Sequence, residues 1–468
     1  MLKPFAPRGM REDEGAPPMR ADQLQTKYGG FAPRYTSYPT APHFSENVKP
    51  ALYADWLGAL TDEHAVSLYA HVPYCRRLCW YCGCTTRATQ SYAPIRTYAQ
   101  TLLAEIALIR SALRAAPIAR RLHWGGGTPT ALSGGDFLAV MQALRGAFDF
   151  ARDAEIAVEI DPGTVGETMI DILAEAGVTR ASVGVQSLAE KVQQAVNRVQ
   201  SFERVARVIG ALRAAGVGAV NIDLMYGLPH QTVTDVEETT RACLDLGPDR
   251  VSVFGYAHVP WMKSHQRLID EAALPCPAER LKQAAAAAQT LTDAGYVAIG
   301  LDHFALPHDP LARRAADGGL RRNFQGYTDD DADALIGVGA SAISSLPQGY
   351  AQNHAATRDY QRSVEAGRLP IARGIAVNDD DRLRRAVIER LMCDYRADLR
   401  GLAMAHDADP AGFADELARL RAFEEDGLVT IDGEVVTVAP EARAYVRSVC
   451  AVFDKYLSTG KGRHSLAV

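Results

Sequence analysis

From Tyr69 onward, short runs of β-branched and apolar residues alternate with stretches in which apolar residues return every three or four positions. The runs predict strands at Ser67–Val72, Arg121–Trp124, Glu155–Ile160, Arg180–Val185, Ala219–Leu224 and Val251–Tyr256. The periodic stretches predict helices over 97–114, 134–147, 166–176, 202–214, 232–245 and 278–294. Strands and helices in strict alternation build βαβ units around a parallel sheet. Six such units are too few for a closed eight-fold barrel, so the pattern predicts an α/β fold, a partial (β/α)6 barrel. The Ala284–Ala288 run is strong helix former, not a linker.

The flanks follow other patterns. Residues 1–24 are rich in Pro, Gly and charge with no apolar period, and read as a mobile extension. Residues 25–66 form an N-terminal arm with a lead-in helix, 67–300 the barrel, and 301–374 a glycine- and aromatic-rich cover and linker. Over 375–457 come a charged helix (Asp379–Met392), a second (Asp409–Asp426), a hairpin-like stretch at 428–437 and a last helix (Pro440–Leu457), which predict a small, mostly helical, winged-helix-like domain. These helices are not basic enough for DNA, so the domain reads as a lid or docking module. Residues 458–468 read as a mobile tail.

A chain of 468 residues, 47% hydrophobic, has room for one large domain and one or two smaller ones. Its net charge of -6, with no basic stripe, argues against a nucleic-acid partner. Arg76, Arg77 and Arg87 are a possible local anion-binding cluster. No apolar run reaches membrane-spanning length and the N-terminus lacks a secretory segment, which predicts a cytoplasmic protein without a membrane partner. Free cysteines fit that compartment, and Cys243, Cys276, Cys393 and Cys450 read as buried or inert. Nothing in the chain demands more than a monomer.

The densest chemistry lies between Tyr69 and Thr86, YAHVPYCRRLCWYCGCTT, where Cys75, Cys79, Cys82 and Cys84 fall within ten residues. Cysteines so close would close only tiny strained disulfide loops. One thiolate cluster with no second pair suits an iron–sulfur cluster; a zinc site, which takes two separated pairs, is the bland alternative. Barrel active sites gather at the C-terminal ends of the strands. There this chain places Gly125-Gly126-Gly127-Thr128, Glu159-Ile160-Asp161, Gln186-Ser187, Asp223 and Tyr256-Ala257-His258. Three glycines let a ligand approach the backbone and offer their amides to it. Acidic and amide side chains suit ribose hydroxyls and adenine edges or, taken singly, cap the next helix. Tyr81 offers a ring face to a base or packs in the core. His258 and His303 read as structural. In the arm PRYTSYPT, Arg34 is a planar cation suited to carboxylates, with plain packing of the arm as the alternative.

The spacing Cys-x3-Cys-x2-Cys resembles the signature of the radical S-adenosylmethionine (SAM) superfamily. PRYTSYPTA, CRRLCWYCGC, HWGGGTPT, VGVQ followed by Asn197-Arg198, NIDLMYGLPHQT, GLDHFA and RNFQGYT together resemble the oxygen-independent coproporphyrinogen III oxidases, from about Tyr28 to Tyr456. The resemblance implies that Cys75, Cys79 and Cys82 hold a [4Fe-4S] cluster whose fourth iron binds SAM, with Cys84 outside the ligand set. One electron into the sulfonium would leave a 5′-deoxyadenosyl radical. Two SAM molecules are implied, the first lined by Tyr69, Tyr81, Gly126, Glu159 and Ile343, the second by Gly127, Thr128, Gln186, Arg198, Asp223 and Ala257. The implied reaction is oxidative decarboxylation of two propionates of coproporphyrinogen III to vinyl groups, giving protoporphyrinogen IX in haem biosynthesis. Arg34 would meet substrate carboxylates, and a flavodoxin or ferredoxin would be the electron donor. Two departures from the family pattern, Tyr81 in place of Phe and the Thr85-Thr86 pair, leave this intact. The runner-up, a haem-binding chaperone of the same superfamily, generally lacks the fourth cysteine and the PRYTSYPT arm; a zinc-stabilised structural protein is the remaining reading.

Overall fold

The computed structural model describes residues 21–30 and 32–457. Six strands, β1 (Ala65–Val72), β2 (Ile118–Gly126), β3 (Asp149–Ile160), β4 (Arg180–Gln186), β5 (Ala219–Tyr226) and β6 (Arg250–Gly255), lie side by side with every neighbouring pair parallel. Parallel strands are covered on both faces and so are apolar nearly throughout; in β1 only Tyr69 is partly exposed. The helices Ala93–Ala112, Gly134–Ala147, Glu167–Glu175, Phe202–Ala214 and Val233–Leu244 connect successive strands, and Pro277–Asp293 follows β6. Three of them start on side chains that take up orphan amides: Ser133 accepts from the Asp136 N–H, Ser201 from Arg204, and Thr232 forms a capping box with Asp235. Their apolar stripes join the strands in one core that includes Leu102, Ile106, Leu144, Val208 and Leu212.

The expected strands and helices form, and the ends move. β3 begins at Asp149 rather than Glu155, because its first six residues are exposed or half-buried and carry no apolar run. The sheet also continues beyond β6, mostly past residue 300, where the sequence pattern reads only as a cover. Val297–Ile299 (β7) and His303–Ala305 (β8) add antiparallel strands beyond β6. On the other side Ala334–Val338 (β9) runs parallel to β1, followed by the antiparallel strands Ile343–Leu346 (β10), Gly349–Asn353 (β11) and Ile371–Ala376 (β12). These strands are short and broken by glycines, so they leave no period. Gly339 is required: at φ +102° a Cβ there would lie 2.5 Å from the His71 carbonyl oxygen.

Glu105 ties the helix Ala93–Ala112 to this extension. Its buried carboxylate accepts from the Gly339 N–H (2.7 Å), Asn353 Nδ2 (2.6 Å) and the Tyr360 hydroxyl (2.6 Å). Burial outweighs these three donors and pushes its pKa from 4.5 to about 7. Because the folded value lies above the unfolded one, Glu105's contribution to stability is full below pH 4.5 and is lost as pH rises through about 7. Glu105→Gln is expected to flatten that slope in denaturant unfolding between about pH 4.5 and 7. Glu105→Ala, which orphans three donors, is expected to cost about 2–4 kcal/mol.

The C-terminal module packs the helices Asp379–Asp394, Leu399–Ala405 and Ala414–Glu425 against a three-stranded antiparallel sheet of Arg396–Asp398, Val435–Val438 and Val429–Asp432. It closes on a 3-10 turn (Pro440–Tyr445) and the short helix Val446–Ala451. Tyr28, Tyr35 and Tyr38 of the arm bury in this module's core. Ala21–Tyr28 is a helix and shortens the stretch read as mobile: Leu24 and Tyr28 find their apolar partners only in the distant C-terminal module. The rest of the expected mobile extension (1–20) and the expected tail (458–468) lie outside the described residues. Among the described residues no helix is long and apolar enough to cross a membrane.

Candidate active site

β1 ends at Val72 and the chain enters the cysteine loop, which closes where Tyr74–Cys75 pairs with Arg87–Ala88. The loop's carbonyls hang from side chains of the segments after β4 and β6. Asn197 Nδ2 donates to Leu78 O (2.9 Å), Gln266 Nε2 to Tyr81 O (2.9 Å), His265 Nε2 to Cys82 O (2.7 Å) and Lys263 Nζ to Cys84 O (2.9 Å). The Trp80 N–H adds a bond to Val196 O at 3.0 Å. The eleven residues between Cys75 and Arg87 are thereby fixed at five points with no regular structure of their own. Its thiols differ in exposure: Cys75, Cys79 and Cys82 are half-buried and Cys84 is exposed.

The donor set fits a cluster that takes three thiolates. Arg198, itself buried, donates from Nη1 to Cys79 Sγ (3.4 Å) and from Nη2 to Gly184 O (2.6 Å), and pairs with Asp161 at 3.2 Å. A hydrogen bond from Cys84 pulls Cys82 down to about 6, while burial pushes Cys75 up to about 12; a cluster held by these thiols would deprotonate both. Among the described residues no three His, Cys, Asp or Glu side chains converge on one ion as a zinc site requires. Thiolates that bind separate irons of a cube need no such convergence. Gly127 keeps the space beside the loop clear: a Cβ there would lie 2.7 Å from Tyr74 O and 3.0 Å from Cys75 Sγ. Since backbone cannot yield, Gly127→Ala is expected to displace Cys75 and lower the iron and sulfide retained per chain after reconstitution.

The register lines the strand ends up into one rim, with Val72 opposite Gly126 and Tyr69 opposite Gly337. Around β1 and β2 the structure brings together four of the five residues expected to line the first SAM, Tyr69, Gly126, Glu159 and Ile343. Glu159 Oε2 accepts from the Gly126 N–H (3.0 Å), and its Oε1 lies 3.2 Å from His123 Nε2. The Tyr69 and His123 rings stack at 6.0 Å, and a Cβ on Gly337 would lie 2.9 Å from Ile343 O. The glycine loop departs from expectation in one respect. The Gly126 and Gly127 amides are already taken, by Glu159 and by Val72 O (2.8 Å), so the loop offers a ligand close approach rather than N–H donors. Tyr81, with Trp80, packs against Val192, Val196, Leu228, Tyr256 and Ile269.

Of the expected second set, Asp223 is held by Ser182 (2.7 Å) and Asn221 (2.7 Å), and a Cβ on Gly184 would touch both Gln186 Nε2 (3.0 Å) and Arg198 Nη2 (3.1 Å). Thr128 is buried, its N–H bonded to Tyr74 O at 2.9 Å. Ala257 lies across the rim on the wall of a cavity of about 500 Å³. A smaller cavity inside the barrel, lined by Glu159 and Asp223, shares Phe254 and Gln325 with it.

Arg34 lines the larger cavity, together with Arg280, Arg322 and Arg447. These three were missed by sequence reasoning. Only Arg322, in the RNFQGYT motif, carried a signal; Arg280 looks like any helix-surface arginine and Arg447 is 413 positions from Arg34. The expected anion cluster is not assembled. Arg76 and Arg77 bond the Gln90 and Val199 carbonyls (3.2 and 3.4 Å), and Arg87 is exposed. His258 and His303 are satisfied, the first between Tyr256 (2.8 Å) and Glu271 (2.9 Å), the second on Asp302 (2.7 Å). Cys243, Cys393 and Cys450 are buried as expected, but Cys276 is exposed, being the N-cap of the helix Pro277–Asp293.

Fold and cysteine loop define the class: the radical SAM superfamily model matches residues 69–243. The chain is 49% identical over 451 residues to the oxygen-independent coproporphyrinogen III oxidase of Bradyrhizobium diazoefficiens, covering 96% of this chain and 100% of the relative. It is 45% identical to that of Paracoccus denitrificans, covering 93% and 96%. A solved structure of coproporphyrinogen III oxidase from Escherichia coli, described as a radical SAM enzyme, superimposes with a TM-score of 0.87 at 38% identity over 94% of this chain and 99% of that one. The chain therefore belongs to the oxygen-independent coproporphyrinogen III oxidase family.

Proposed function

We propose that the protein carries out the oxygen-independent oxidative decarboxylation of two propionate side chains of coproporphyrinogen III to vinyl groups, giving protoporphyrinogen IX. The observation that carries this is the tethered three-thiol loop set at the rim of a barrel whose neighbouring cavity is lined by arginines. Cys75, Cys79 and Cys82 would hold the [4Fe-4S] cluster and leave one iron for SAM. When bound, the pair accepts one electron and supplies a carbon radical able to take hydrogen from an unactivated carbon. The chain's own residues position and exclude. Arg198 bonds Cys79 and braces the loop against β4. Glu159, with Tyr69, Gly126 and Ile343, lines the first SAM and Tyr81 borders it. Asp223, with Gly127, Thr128, Gln186, Arg198 and Ala257, lines a second. Arg34 meets a substrate carboxylate. In this reading residues 67–300, with Ile343 from the strands beyond them, hold the cofactors, while the arm (25–66) and the 375–457 module close the substrate side. The electron comes from a separate one-electron donor protein such as a flavodoxin or ferredoxin.

The chaperone reading is not favoured, since the match to the oxidases runs the length of the chain and includes the arm. The test is anaerobic incubation of the reconstituted protein with coproporphyrinogen III, SAM and a reductant, with product identification. Protoporphyrinogen IX is expected; SAM cleavage without decarboxylation of this substrate would remove the assignment.

A further inference from the structure

The cavity of about 500 Å³ draws one arginine from each of four separate parts of the chain. Arg34 comes from the arm, Arg280 from the helix Pro277–Asp293, Arg322 from the hairpin of Arg321–Asn323 and Gly326–Thr328, and Arg447 from the helix Val446–Ala451 of the C-terminal module. Against these four guanidiniums Asp302 is the one carboxylate among the described lining residues, and it is already hydrogen-bonded to His303. Arg280 stands over the Tyr226 ring (5.6 Å) and Arg322 over the Tyr327 ring (4.3 Å), which fixes their planes. Buried Nε of Arg280 and buried Nε and Nη1 of Arg322 have no partner in the protein.

Three of the four guanidiniums are disfavoured without an anion, while burial of the fourth, Arg322, is outweighed by the charges of Tyr327 and Asp302, which raise it. Burial, and then the charges of Arg34 and Arg322, lower Arg447 to about 10. Burial likewise lowers Arg34 and Arg280, each of which feels a neighbouring guanidinium. Like charges brought out of water are relieved by a ligand carrying several carboxylates, which a guanidinium fork binds in two-point fashion.

We propose that Arg280, Arg322 and Arg447 join Arg34 in a four-point cage that reads the four carboxylates of the substrate, so that the C-terminal module supplies a specificity residue to the active site. The inference rests on the functional reading above and extends it from one cation to four. The product keeps two of the four carboxylates, so two of the contacts vanish as the vinyl groups form and the product leaves more readily than the substrate.

The test uses the reconstituted full chain and two air-stable fluorescent probes, coproporphyrin III and its uncharged tetramethyl ester. Arg280→Gln, Arg322→Gln and Arg447→Gln are each expected to weaken coproporphyrin III binding by about tenfold or more. Binding of the ester and of SAM should stay as in the unsubstituted protein. The Lys variants, which keep charge but lose the fork, should fall between, and they carry the test where a Gln variant does not fold. Two results overturn the cage: Gln variants that bind the tetracarboxylate as tightly as the parent, or that weaken the ester equally, which would mean lost shape rather than lost charge. Failure of the underlying reading is distinct, because then the unsubstituted protein itself does not convert coproporphyrinogen III.

Discussion

Serine at Cys75, Cys79 or Cys82, one position at a time, is expected to take both iron content and turnover to background, while Cys84→Ser keeps a [4Fe-4S] cluster. The argument is one of coordination number. A cluster held by three thiolates has no spare ligand, and a serine hydroxyl, unionised at neutral pH, does not replace one. Cys84 lies two residues past Cys82 and is exposed, whereas the other three cysteines of the loop are half-buried. It bonds Cys82, and Lys263 holds its carbonyl, so its part is in shaping the loop. Iron and sulfide analysis with the visible spectrum of the four variants checks this; a cluster lost as completely in Cys84→Ser as in Cys79→Ser would contradict it.

Arg198→Met is expected to give the second-largest effect, a protein that still binds iron but reduces poorly. The guanidinium is buried, touches Cys79 Sγ and balances Asp161. Hydrogen bonds and positive charge at the sulfurs raise a cluster's potential, so their loss lowers it, by about 60–120 mV, which leaves ten- to a hundredfold less reduced cluster at a fixed donor potential. Arg198→Lys should recover part of the shift. A potentiometric titration followed by electron paramagnetic resonance reads the midpoint directly. An unchanged midpoint with lost activity would confine Arg198 to SAM binding, the role that the family resemblance alone implies.

The six strands that build the barrel announced themselves because buried parallel strands must be apolar, and the helices between them because one face of each meets that sheet. The cysteine loop was equally legible, since ligand spacing is a local property. What stayed hidden depends on residues far apart in the chain. β9 to β12 are short and broken by glycine, and they exist because β1 has a free edge to pair with. The first half of the helix Ala21–Tyr28 fell in the stretch read as mobile because the surface that buries Leu24 comes from the C-terminal module. The arginine-lined cavity is the clearest case. Each of its guanidiniums is ordinary where it stands in the sequence, and only the fold sets Arg34 near Arg447.

The most direct test of the central claim, a three-thiolate cluster with one iron left open to SAM, is the electron paramagnetic resonance spectrum of the reduced, anaerobically reconstituted protein before and after addition of SAM labelled with nitrogen-15 at its amino group. The account predicts a SAM-dependent change in the spectrum and hyperfine coupling to the labelled nitrogen. A spectrum that SAM leaves unchanged, with no coupling to the label, would mean that the protein occupies every iron, and would contradict it.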